Sequence, residues 1–200
     1  SDRPLISGTI SLKNAWIFAL FCILLAFFIA TGLSYISSNY FPLIILAASA
    51  SSIILYDLIS KKIPFMDILV ALGIFFFILY GASTQVQQLS DITLLAWFVC
   101  ILGSIQVLFM QIVAGGLKDI ENDYQSGANT AAVKLGVRVK NKRLHSSKSF
   151  QLLAFTIQII DIILIFTPFF IIDIFTESLF LAMFQLLTLG IIGGMMLFLS

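Results

Sequence analysis

Residues 92–130 read ITLLAWFVCILGSIQVLFMQIVAGGLKDIENDYQSGANT, and the change of character after Leu117 decides how the rest of the chain is read. Between Ile92 and Leu117 no residue is charged. A helix crossing the hydrocarbon core needs about 20 predominantly apolar residues, so this stretch is long enough to span a bilayer. From Lys118 onward polar residues take over, with Asp119, Glu121 and Asp123 close together.

Five other apolar stretches flank it: Ala15–Ile36, Phe41–Tyr56, Phe65–Val86, Phe150–Ile172 and Ser178–Leu199. The second is short and reaches spanning length only by drawing on Ser38–Asn39 or Asp57–Ser60. The expected fold is an all-α, polytopic transmembrane helix bundle. Its six spans form a single transmembrane domain over residues 1–200, and its one long polar loop covers 118–149. Composition agrees: 60% of residues are hydrophobic and 10% are charged, against roughly 25% charged in a soluble domain. With a mean hydropathy of +1.09, too little polar surface remains to cover a soluble core. Lipid must cover it instead.

The cations orient the bundle. Arg3 and Lys13 precede the first span, Lys61 and Lys62 separate the second from the third, and the remaining Lys and Arg residues lie between the fourth and fifth. The alternate connections, 37–40, 87–91 and 173–177, hold none. By the positive-inside rule, both chain ends and the loop 118–149 are expected on the cytoplasmic side. The expected location is the plasma membrane of a prokaryote. Cys22 and Cys100 sit in apolar runs and match no disulfide or zinc spacing, which reads as two buried thiols. The net charge of +1 gives no indication of a nucleic-acid partner.

The loop carries the chemistry. If the fourth helix continues past Leu117, Asp119 and Asp123 lie one turn apart on one face, with Glu121 turned roughly 200° from Asp119. Like charges at that spacing repel each other and the negative end of the helix. One reading is a solvated acidic turn paired with Lys118 and Lys134. The other is a magnesium site, since magnesium takes one or two carboxylates together with phosphates and water. An EF-hand is excluded, because Tyr124 stands where its glycine belongs and Thr130 where its glutamate belongs.

Asp119-x-x-x-Asp123 followed by Gly127, Thr130 and Val133-Lys134-Leu135-Gly136 resembles the second aspartate-rich motif of the UbiA family of membrane prenyltransferases. The opening Asp2-Arg3-Pro4-Leu5-Ile6-Ser7-Gly8-Thr9-Ile10-Ser11 is similar to the family's segment after its first motif. Tyr56, Lys61-Lys62 and Pro64 resemble its Tyr/Lys turn. In the family that Tyr and Lys are often four apart, whereas here they are five apart. The six spans would correspond to the third through eighth of nine, with the first aspartate motif upstream of Ser1. That implies a fragment inactive by itself.

The resemblance implies magnesium-dependent transfer of a prenyl or polyprenyl group from its diphosphate to a small acceptor within the membrane. Asp119 and Asp123 would hold the metal, and with Tyr56 and Lys61 form the catalytic set. Arg3, Lys118, Asn122 and Lys62 would bind substrate. The acceptor is either a prenylated glycerol phosphate or an aromatic acid of quinone biosynthesis. The implied partners are the donor, the acceptor and membrane lipid, with no nucleic acid.

Two other classes compete. A CDP-alcohol phosphotransferase wants an Asp-Gly…Ala-Arg stretch ahead of its Asp-x-x-x-Asp, and nothing before Asp119 matches that. A transporter could use Asp161, an acid within the fifth span, but repeated broken helices are not evident. A structural carboxyl is the other reading of Asp161. His145 lies in the basic run 138–148, which reads as a segment facing lipid headgroups. Asp67 reads as the cap of the third span's helix.

Overall fold

A computed structural model describes residues 8–140 and 143–171, together with positions 183, 186, 187, 190, 191 and 194. The span expected over Ser178–Leu199 therefore lies outside the continuously described residues, as does Arg3. The chain divides into two compact units, residues 1–44 and 45–200.

In the first unit α1 runs over Leu12–Ser37. Ser11 caps it by accepting a hydrogen bond from the Asn14 amide at 3.2 Å, and Ser38 ends it in a left-handed conformation. Only Ala30 and Ser34 are buried along its length. Phe18, Leu24, Phe28 and Ile36 face outward, as expected of a helix solvated by lipid. Cys22 is exposed on it, which corrects its reading as a buried thiol, whereas Cys100 is buried.

Helix α2 covers Phe41–Ile59 and reaches spanning length by taking in Asp57–Ile59. In the second unit, Ser49 Oγ on α2 donates to the carbonyl of Gly73 on α3 (Asp67–Ser83) at 2.7 Å. Such a bond satisfies a hydroxyl that lipid cannot. Helix α3 is shorter than the expected 65–86. The chain returns through a 3-10 turn, Leu89–Asp91, and Thr93 caps the next helix by accepting from the Ala96 amide.

That next helix differs most from expectation. It does not stop at Leu117 but runs from Leu94 to Ser126 in three parts: α4 (Leu94–Phe109), a π-helical segment (Met110–Gly115) and α5 (Gly116–Ser126). It ends where Gly127 adopts φ 67°, a left-handed conformation open to glycine at little cost. The Gly127 amide bonds to Tyr124 O and the Ala128 amide to Asp123 O, the paired closure of a Schellman cap.

The remainder of the 118–149 loop is folded rather than solvated. A single-turn helix α6 (Ala131–Lys134) leads to an antiparallel hairpin of β1 (Arg138–Lys140) and β2 (Arg143–His145), and then to α7 (Lys148–Ile171). Val137 (0% exposed), Ile120, Ala131 and Ala132 form a buried cluster with Ile112, Phe150 and Ile157. Ser147 starts α7 by accepting from the Phe150 amide at 3.2 Å while its hydroxyl donates to Leu135 O. Among the described residues four helices are long and apolar enough to cross a membrane, and α3 is a shorter apolar helix.

Candidate active site

The π-helical segment sets the geometry. Its wider turn inserts an extra residue and rotates everything after it, a distortion frequent at functional sites. Gln111 and Ile112 of this segment and Asp119 and Asp123 of α5 all line one cavity of about 110 Å³. The opposite wall is Tyr56 of α2, Ser60 and Lys61 from the turn after it, and Asp67 at the start of α3. Thr130 and the start of α6 complete it.

Asp123 is the most enclosed of these acids, at 4% exposure. Its two oxygens have different partners. Thr130 Oγ1 donates to Oδ2 at 3.1 Å, and Lys61 Nζ lies 3.7 Å from Oδ1. The Lys61 side chain is 63% exposed, so that attraction contributes at most about 1 kcal/mol. Asp123 is thus held firmly by the turn and loosely by the lysine.

Lys61 reaches this position through the backbone. The Asn129 amide donates to Lys61 O at 2.9 Å, and Asn129 Nδ2 approaches Lys62 O at 3.5 Å. The loop after α5 is thereby tied to the turn after α2. A second close approach keeps α6 against α5. A Cβ on Gly116 would stand 2.9 Å from Ala132 Cβ, closer than carbon atoms tolerate.

The residues singled out from sequence separate into two sets. Asp119, Asp123, Tyr56 and Lys61 share the cavity. Lys118, Asn122 and Lys62 are exposed and do not line it. Helical periodicity explains this: Lys118 and Asn122 are offset about 100° from the Asp119–Asp123 face. Glu121 lines a separate depression with Tyr124 and Arg138. Asp67 departs from its reading as a helix cap. Met66 occupies the cap position and Asp67 is the first helical residue, its side chain on the cavity wall. Sequence reasoning missed Thr130 and Asn129 as positioning residues. A polar pair one residue beyond the helix-ending glycine was the available signal.

Asp161 lies apart from this cavity. It is buried at 3% exposure on α7, with the Gln106 amide of α4 as its polar neighbour. One of its oxygens and the amide oxygen of Gln158 have no hydrogen-bond partner.

The donor set suits magnesium. Two hard carboxylates one turn apart face a cavity whose acids, Asp67 included, outnumber its one lysine. Among the described residues no three of His, Cys, Asp and Glu converge as a metal cluster. A bound ion would therefore depend on phosphate oxygens and water for its remaining ligands, which is magnesium's ordinary habit.

No curated protein and no solved structure matches the chain. The sequence model of the UbiA prenyltransferase family matches residues 1–199. With the match covering nearly its whole length, the chain belongs to the UbiA prenyltransferase family.

Proposed function

We propose that this protein transfers a prenyl group from its diphosphate to a small acceptor, with magnesium held by Asp119 and Asp123. The observation that carries this reading is that both carboxylates, Lys61 and Tyr56 line one cavity. The acceptor is a prenylated glycerol phosphate or an aromatic acid.

Magnesium supplies charge neutralisation for the diphosphate and for the negative charge developing on it as it leaves. The chain's own groups do the rest. Asp119 and Asp123 hold their carboxylates on one helix face, and Thr130 fixes the second of them. Lys61, only weakly committed to Asp123, swings its ammonium onto a diphosphate oxygen at small cost. Tyr56 donates a hydrogen bond to another. The bond between the first prenyl carbon and the diphosphate oxygen breaks, diphosphate departs with the electron pair, and the acceptor carbon or hydroxyl bonds to that carbon and gives its proton to the released diphosphate or to water.

The test is a transfer assay with full-length protein in proteoliposomes, an isoprenoid diphosphate and each acceptor class. Alkylated acceptor and free diphosphate should form together with magnesium present and cease on chelation. Donor left intact with every acceptor tried would contradict the reading.

A further inference from the structure

The hairpin between α6 and α7 has two chemically opposite faces. Its register pairs Arg138 with His145, Val139 with Leu144 and Lys140 with Arg143. Cross-strand partners share a face and successive residues alternate. Arg138, Lys140, Arg143 and His145 therefore stand on one side, Val139 and Leu144 on the other. Val139 packs against the buried cluster, and all four basic residues are exposed. Arg138 shares an open depression with Glu121. Among the described residues, however, the one ion pair is Lys61–Asp123, so no described carboxylate pairs with Arg138, Lys140, Arg143 or His145.

This arrangement opposes the hairpin's own stability. Lys140 directly opposite Arg143 is a repulsive cross-strand pair, and a two-stranded hairpin has little stability to spare. An anion lying across both residues would turn repulsion into attraction. The position names its source. His145 precedes Lys148, the first residue of the membrane-length helix α7, by three residues, a reach of at most about 10 Å. The polar layer on each side of the hydrocarbon core is roughly 5–8 Å deep, so the start of α7 keeps β2 within reach of lipid phosphates. Leu144, on the opposite face, lines an apolar groove with Phe150 and Phe155 of α7.

We propose that the basic face of this hairpin binds the phosphate groups of anionic phospholipids in the adjacent leaflet. The inference rests on the membrane-spanning character of the chain and not on its catalytic reading. Binding would also steady the site at a distance: Val137, which leads into β1, bonds through its amide to Ala132 O, two residues beyond Thr130.

The test is hydrogen exchange of the hairpin amides in full-length protein. The bilayers are nanodiscs of phosphatidylcholine, of phosphatidylcholine with phosphatidylglycerol, and of phosphatidylcholine with inorganic phosphate in the buffer. Phosphatidylglycerol should slow exchange at 138–140 and 143–145, high salt should reverse the slowing, and inorganic phosphate should not reproduce it. Lys140→Ser should reduce the added protection about fivefold, and Lys140→Ser with Arg143→Ser by about that factor again. If the double variant does not reconstitute, the single variant and the salt series decide. Equal exchange with and without phosphatidylglycerol, equal protection by inorganic phosphate, or an unaltered response in the variants would each overturn the proposal.

Discussion

Thr130 reaches back across the Schellman turn to donate a hydrogen bond to Oδ2 of Asp123 at 3.1 Å. Thr130 stands at the cap position of α6, yet its side chain makes no capping bond to that helix. Its hydroxyl serves the carboxylate instead. Replacing it by valine keeps the shape and leaves a buried oxygen short of a donor, at a cost of about 1–3 kcal/mol. Partners that orient metal ligands typically contribute 10–100-fold to metal affinity or activity. Thr130→Val should therefore raise the magnesium concentration for half-maximal transfer at least tenfold. Thr130→Ser, which keeps the hydroxyl, should stay near wild type. Equal magnesium dependence in both variants would remove Thr130 from the site.

Lys61 allows a prediction of opposite signs. Its ammonium lies 3.7 Å from Asp123 Oδ1, where under the proposed function it would compete with the metal for the carboxylate while attracting the diphosphate. Lys61→Gln should raise the KM for the donor and lower kcat/KM by about 10–100-fold. The magnesium requirement should stay the same or fall. A variant needing more magnesium would show that Lys61 supports the metal rather than the donor.

Asp67 offers a check on which carboxylates matter. It lines the same cavity but stands outside the Asp119–Asp123 turn. Asp67→Asn should retain magnesium-dependent transfer within about tenfold of wild type, whereas loss on the scale of Asp119→Asn would move the metal towards α3. Steady-state rates over a magnesium series measure the difference.

The contact between Gly116 and Ala132 is tight enough to test by a double-mutant cycle. Gly116→Ala forces two methyl groups to within 2.9 Å and should destabilise the fold by about 1–3 kcal/mol. Adding Ala132→Gly should recover most of that loss, a coupling expected only of residues in contact. Gly115→Ala, whose Cβ would meet Met110 O at an acceptable 3.4 Å, should cost far less. Thermal unfolding of the wild type, the double variant and the singles Gly116→Ala, Ala132→Gly and Gly115→Ala in one detergent gives the coupling and the control.

The spans were legible because a bilayer leaves no alternative: long apolar runs such as 94–109, and 150–168 with Asp161 as its one charged residue, must be helical to satisfy their backbone groups. The Asp119–Asp123 face was legible from helical spacing alone, and the helix does continue through it to Ser126. The π-helical segment was not legible. Its residues, Met110 to Gly115, are as apolar as those before them, and a wider turn inside a helix leaves no mark on hydrophobic spacing. The hairpin was hidden for another reason. Arg138–Lys140 and Arg143–His145 alternate basic and apolar residues over only three positions each, too short a pattern to stand out from a charged loop. Lys118, Asn122 and Lys62 stand out in the sequence through charge or proximity to the motif, yet none of them lines the cavity.

Direct metal binding tests the central claim most sharply. Manganese, as a paramagnetic substitute for magnesium, can be titrated into full-length protein holding an unreactive donor analogue and followed by electron paramagnetic resonance. Wild-type protein should bind the ion in competition with magnesium, and both Asp119→Asn and Asp123→Asn should weaken binding at least tenfold while the helical content stays unchanged. Wild-type affinity in both variants would contradict the account.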